Sequence, residues 1–132
     1  ELATFFRDLP EKMAAAHLVI ARAGASSVAE LTVMGRPSIL VPLPHAVDND
    51  QLRNATQLAR NGGASCIEQK DLTPERLASE IERLAANPDE LARMAAAAKS
   101  QGRADAVIRL ADLVEELMGA RQPRPPMEQD RN

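Results

Sequence analysis

Apolar residues along this chain come in two rhythms. Short unbroken runs at Leu2 to Phe6, Leu18 to Ala21, Ser38 to Leu43 and Ala64 to Glu68 alternate with longer stretches in which apolar positions recur every three or four residues. The runs predict strands and the stretches predict helices, and their alternation is the βαβ signature of a parallel sheet. The second and third runs lack polar alternation, as strands do when helices cover both faces.

The helices carry readable ends. One is predicted from about Pro10 to Ala16 behind Asp8. The next begins at Ser27, where Ser27-Val28-Ala29-Glu30 fits a capping box, and stops at Gly35 with Pro37 beyond. A third spans about Gln51 to Arg60, with Asp50 as its natural N-cap, and closes at Asn61-Gly62-Gly63. Thr73-Pro74-Glu75 opens a fourth, Asn87-Pro88 and Gly102 interrupt it, and a last helix from about Ala104 to Met118 places Val107, Leu110, Ala111, Val114 and Leu117 on one stripe. The predicted class is therefore α/β: a partial Rossmann-like parallel sheet of about four strands with flanking helices. Residues 1–118 form the folded part, and the proline-rich stretch 119–132 is expected to be a disordered tail.

Composition narrows the partners. The 132 residues suffice for one core, and the net charge of -3 is scattered in both signs, so no basic stripe points to nucleic acid. Phe5 and Phe6 are the only aromatic residues, which argues against a base-stacking platform. The single cysteine, Cys66, excludes an internal disulfide and a cysteine-rich metal site; it lies in an apolar run, where packing is its expected role. No apolar run approaches the roughly 20 residues of a spanning helix, and the N-terminus has no signal-peptide pattern, so the expected location is cytoplasmic.

In an open parallel sheet, ligands bind beyond the carboxyl ends of the strands. Two polar clusters fall there. The turn from Arg22 through Gly24, Ala25, Ser26 and Ser27 to Glu30 follows the second strand; Pro44 to Gln51, with His45, Asp50 and Gln51, follows the third. A small-residue turn at a helix N-terminus presents backbone N–H groups and the positive end of the helix dipole to an anion such as phosphate. From spacing alone Glu30 reads first as the capping-box partner of Ser27 and Asp50 first as a cap, and Arg22 is equally the partner of a nearby carboxylate. The turn lacks the repeated glycines of a dinucleotide fingerprint and the lysine of a P-loop. His17 and His45 have no metal-ligand spacing to other donors.

The run MAAAHLVIARAGASSVAELTVMGRPSILVPLPHAVDNDQLRNA resembles the C-terminal donor-binding domain of the MurG family, bacterial transferases that move N-acetylglucosamine from its UDP donor to undecaprenyl-pyrophosphoryl muramyl-pentapeptide. The resemblance extends from about Leu2 to Met118, through RAGASSVAE, GRPSILVPLPH and DNDQLRNA in order. It implies the C-terminal half of a GT-B glycosyltransferase in which Glu30 binds the ribose hydroxyls of UDP, Gly24 to Ser27 lie beside the diphosphate, Gln51 contacts the sugar and Asp50 stands at its partner position. Phe6 stands where the backbone pairs with the uracil edge, and Arg22 helps stabilise the leaving diphosphate. It implies an inverting single displacement, no metal or other cofactor, and no catalytic residue within this chain. The catalytic base, the lipid-linked acceptor surface and a further phosphate loop belong to parts of the family enzyme outside these 132 residues, so the chain alone is expected to be inactive. The intact enzyme would sit on the cytoplasmic face of the bacterial inner membrane. Two other readings stay open: a UDP-sugar epimerase of similar fold, and a non-catalytic interaction module.

The resemblance also bears on the sheet. In the doubly wound order 3-2-1-4-5-6 the runs seen here correspond to strands 3, 4, 5 and 6. The strand at Leu18 to Ala21 would then be an open apolar edge, and Leu2 to Phe6 is expected to detach, pair elsewhere or exchange between chains, a route to non-native self-association.

Overall fold

A computed structural model describes residues 1–45 and 47–119, which form two compact units dividing between Gly102 and Arg103. The tail expected at 119–132 lies, from residue 120 on, outside the described residues.

The first unit is a three-stranded parallel sheet with helices on both faces. β1 (Val19–Ala21), β2 (Ser38–Leu40) and β3 (Ala64–Cys66) lie side by side in chain order. Ile20 stands opposite Ile39 and Ile39 opposite Ser65. Parallel bonding runs one residue past the strands, with Val41 N–H donating to Ala21 O at 2.9 Å and Ile67 N–H to Leu40 O at 3.0 Å. Successive side chains of a strand point to opposite faces, and β2 shows why its run has no polar alternation. Leu40 joins one core cluster with Leu31, Ala55, Leu58 and Ala98, while Ile39 joins the other with Ile67, Leu84 and Met94.

The expected four strands are thus three. Leu2 to Phe6 forms no strand, because a strand needs a neighbour for its N–H and C=O groups and among the described residues this segment has none; Leu2 and Phe5 are exposed. Ile20, in register with buried Ile39, is 45% exposed. β2 and β3 also stop short of Leu43 and Glu68.

Helix α1 (Leu9–Ala15) buries Met13 against the first cluster. α2 (Ala25–Met34) begins two residues earlier than the sequence suggests: its N-cap is Gly24, with no side-chain cap, and it ends at Gly35 in the left-handed conformation. Ser27 therefore sits inside the first turn, and the capping box of Ser27 with Glu30 does not form. α3 (Asp50–Arg60) likewise takes Asn49, not Asp50, as N-cap, and buries Ala55 and Leu58.

α4 (Pro74–Ala85) and α5 (Pro88–Gln101) start as read. Thr73 and Asn87 accept the N–H groups of Arg76 and Glu90, each at 3.1 Å, and proline follows each cap. Arg83 braces the two helices, 2.9 Å from Glu80 and 2.6 Å from Glu90. Glu80 also accepts the Ser65 hydroxyl of β3, and Arg83 holds its carboxyl below the usual glutamate range.

The second unit contains α6 (Ala106–Leu117), whose predicted stripe of Val107, Leu110, Val114 and Leu117 is exposed. Among the described residues no helix is long and apolar enough to cross a membrane.

Candidate functional site

The two polar clusters meet at the carboxyl end of the sheet. Adjacent parallel strands place the turn after β1 beside the loop after β2; two side chains fasten them, and a third closes the second loop on itself. Asn54 Nδ2, one turn into α3, donates to Ala23 O at 3.1 Å. Arg22 reaches across to β2, its Nη1 donating to Val41 O at 3.3 Å and Pro42 O at 3.4 Å. Gln51 Oε1 accepts the Leu43 N–H at 3.0 Å, closing the β2 loop onto α3.

The turn itself is built to expose backbone donors. The Val28 N–H makes the first intrahelical bond of α2, to Gly24 O at 3.0 Å, so the amides of Ala25, Ser26 and Ser27 precede the helical ladder. Among the described residues no side chain caps them, and no acidic residue stands in the first turn. A Cβ placed on Gly24 would meet nothing within 4 Å, so open space lies in front of the turn. An anion there would gain those donors and the positive end of the helix dipole, worth roughly 0.3–1 kcal/mol at an exposed site.

Glu30 lies one turn further along the same helix face as Ser26 and Ser27. Helical side chains lean toward the N-terminus, which carries its carboxylate back toward the turn. Glu30 is exposed, and among the described residues its carboxylate has no hydrogen-bond or ion-pair partner. With the capping box absent, Glu30 has no structural task within the helix.

The opposite wall is a tight loop. His45, Asp48 and Asn49 all have positive φ, at 59°, 54° and 52°. These residue types tolerate the left-handed region better than most, yet three within five positions need external support. Arg53 supplies part of it, its Nη2 donating to Asp48 O at 2.7 Å. Asp50 is exposed and its Oδ1 accepts the Gln51 N–H at 2.7 Å. Because Leu43 occupies Gln51 Oε1, the Gln51 amide presents its NH₂ as donor. Asn49 and Leu52, which flank these two residues, line a groove of about 280 Å³ with Leu43, His45 and Lys70.

The sequence thus placed Gly24 to Ser27, Glu30, Asp50 and Gln51 on one end of the sheet. Arg22 is there too, with its Nη1 committed to the carbonyls that end β2. Phe6 precedes α1; its ring lies 5.4 Å from the Lys12 ammonium, and among the described residues no hydrogen bond ties it to the turn. Asn54 went unread, although a polar side chain three residues after Gln51 and next to buried Ala55 was its signal. Cys66 is half-buried, and burial first, then Glu68, pushes its thiol up, away from reactivity.

A parallel sheet covered on both faces, with a helix N-terminus and two polar loops at its carboxyl end, is the ligand-binding arrangement of a doubly wound α/β domain. The model of the glycosyltransferase family 28 C-terminal domain matches residues 1–110. The chain belongs to that family. It is 60% identical over 114 residues to the Nitrobacter hamburgensis protein named UDP-N-acetylglucosamine--N-acetylmuramyl-(pentapeptide) pyrophosphoryl-undecaprenol N-acetylglucosamine transferase, covering 86% of this chain and 31% of that protein. A Rhizobium etli protein of the same name is 55% identical over 115 residues, with 87% and 31% covered. Among solved structures, Acinetobacter baumannii MurG superposes with a TM-score of 0.80 at 34% identity, over 88% of this chain and 33% of that one. The glycosyltransferase VinC, solved in complex with dTDP, gives 0.66 at 25% identity, with 84% and 28% covered. The chain spans about a third of the length of the curated relatives it matches.

Proposed function

We propose that this chain is the donor-binding part of an inverting N-acetylglucosaminyltransferase of peptidoglycan synthesis. UDP-N-acetylglucosamine is its ligand, and the undecaprenyl-pyrophosphoryl muramyl-pentapeptide is the acceptor of the whole enzyme, at the cytoplasmic face of the inner membrane. The domain is residues 1–118. The observation that carries this reading is Glu30: an exposed carboxylate with no partner among the described residues, on the helix face that carries the uncapped amides of the turn.

In this reading the amides of Ala25, Ser26 and Ser27 meet the diphosphate, and Gly24 keeps the approach clear. Glu30 accepts hydrogen bonds from the two ribose hydroxyls, a charge-assisted pair that a carboxylate is suited to make. The Gln51 NH₂ donates to a sugar hydroxyl oxygen, beside Asp50. Phe6 offers backbone to the uracil edge, and Arg22 holds the turn at the end of β2 close to the leaving diphosphate. When a base outside this chain takes the acceptor proton and the anomeric carbon is attacked, negative charge grows on the diphosphate, where the helix N-terminus already points. The rest of the enzyme supplies base and acceptor, so the chain by itself binds donor without turnover.

Calorimetric titration of the 132-residue chain with UDP-N-acetylglucosamine tests this. Glu30→Ala removes two charge-assisted hydrogen bonds, at roughly 1.5 kcal/mol or more each, so a loss of about a hundredfold or more in affinity is expected. Equal affinity of the Glu30→Ala and parent chains would refute the assignment.

A further inference from the structure

On that donor-site reading, the two walls of the site must keep a fixed offset, since one holds the diphosphate and the other the sugar attached to it. The sheet does not fix that offset by itself. α2 and α3 each bury their inner faces, with Leu31 on one and Ala55 and Leu58 on the other, and apolar packing sets their depth with little control over sliding along their axes. Directional bonds must do that.

We infer that Asn54 is a positioning residue that sets the sugar-facing turn of α3 in register with the diphosphate-facing turn of α2. Its Nδ2 donates to Ala23 O at 3.1 Å, a bond between residues 31 positions apart. Ala23 is fully buried, the last residue before the Gly24 cap, so its carbonyl is rigidly attached to the exposed amides. Asn54 lies three residues after Gln51 and four after Asp50, on the same face of α3, so its tether acts directly on the turn carrying those two side chains. The buried Ala23 carbonyl needs a donor; an aspartate of the same shape would set an acceptor against it. On its other side the turn is held by Arg22, which binds β2 and leaves α3 untouched. Among the described residues Asn54 is therefore the direct side-chain tether from α3 to the turn.

A residue that sets this offset has a signature that general destabilisation lacks. UDP meets the α2 wall alone, whereas UDP-N-acetylglucosamine meets both walls. Calorimetry on the 132-residue chain should show Asn54→Ala and Asn54→Asp losing at least about fivefold of the extra affinity that the sugar confers, with UDP affinity changed less than about twofold. In a Gln51→Ala background, where the sugar contact is already gone, Asn54→Ala should have no further effect on that ratio. Without any ligand, amide hydrogen exchange at Val28, whose N–H is bonded to Gly24 O at the turn, should speed up in both Asn54 variants. Equal losses for UDP and UDP-N-acetylglucosamine would show a merely structural residue. So would additivity with Gln51→Ala, and both overturn the inference while leaving the donor site standing. Unchanged exchange at Val28 overturns it whatever the ligands do. A parent chain that binds neither ligand overturns the donor reading, and the positioning role falls with it.

Discussion

Gly102 offers the sharpest test of how α2 is seated. It follows α5 as its C-cap, with φ -68° and ψ 140°, a conformation that alanine adopts freely. Space, not backbone angle, demands glycine there. A Cβ at this position would stand 2.6 Å from Thr32 O, 2.7 Å from Thr32 C and 2.8 Å from Val33 N, all backbone atoms of α2. No side chain can rotate out of the way, so the two helices must part by about 0.8 Å to restore ordinary contact. The separation would also loosen the bond from the Lys99 ammonium to Val33 O and the close seat of Gly35 on Lys99 Cβ, 3.0 Å from where its own Cβ would be. Overpacking of this kind costs about 3 kcal/mol at the upper end, and the lower entropy of the unfolded alanine chain returns about 0.5 kcal/mol. For a unit of this size the net loss of about 2.5 kcal/mol corresponds to a fall in Tm of about 10 °C. Thermal unfolding followed by circular dichroism, with urea titration for the free energy, measures both. A Gly102→Ala chain melting within about 2 °C of the parent would refute the close approach of α5 to α2.

Two further outcomes follow from the same geometry. Gly24→Ala adds a Cβ in open space, so stability should change by less than about 1 kcal/mol, while the methyl group obstructs the approach to the turn; UDP affinity should drop about tenfold in calorimetry, and unchanged affinity would remove the diphosphate from this turn. Glu80 is held below the usual glutamate range by Arg83 first; burial opposes this, and the Ser65 hydroxyl adds to the lowering. A carboxyl whose folded pKa is lowered adds stability above its unfolded value, near pH 4.3, and loses it as pH falls through the folded value. The stability gap between the parent and Glu80→Gln chains should therefore be full at pH 7 and close toward pH 3, as read by urea midpoints; a gap constant with pH would refute the pairing.

The hydrophobic rhythm alone determined the class of fold, the order of helices and strands and most helix ends. An apolar run without alternation suits a strand covered on both faces, as β2 is, and a threonine or asparagine followed by proline fixes a helix start locally. The motifs also placed Glu30, Asp50 and Gln51 at the ligand end of the sheet, because in a parallel sheet the residues after each strand gather at one edge. What depends on neighbours far along the chain was illegible. Leu2 to Phe6 has the composition of a strand, yet a strand exists only when another pairs with it. Ser27 and Glu30 have the spacing of a capping box, yet the turn after β1 hands the cap to Gly24, since the small residues before Ser27 let the helix start two residues sooner. That displacement frees Glu30 from a structural task and leaves three amides uncapped. The bond from Asn54 to Ala23, between residues 31 apart, is decided by tertiary structure alone, because local spacing carries no information about which carbonyl a side-chain amide will meet once two helices pack on the same sheet.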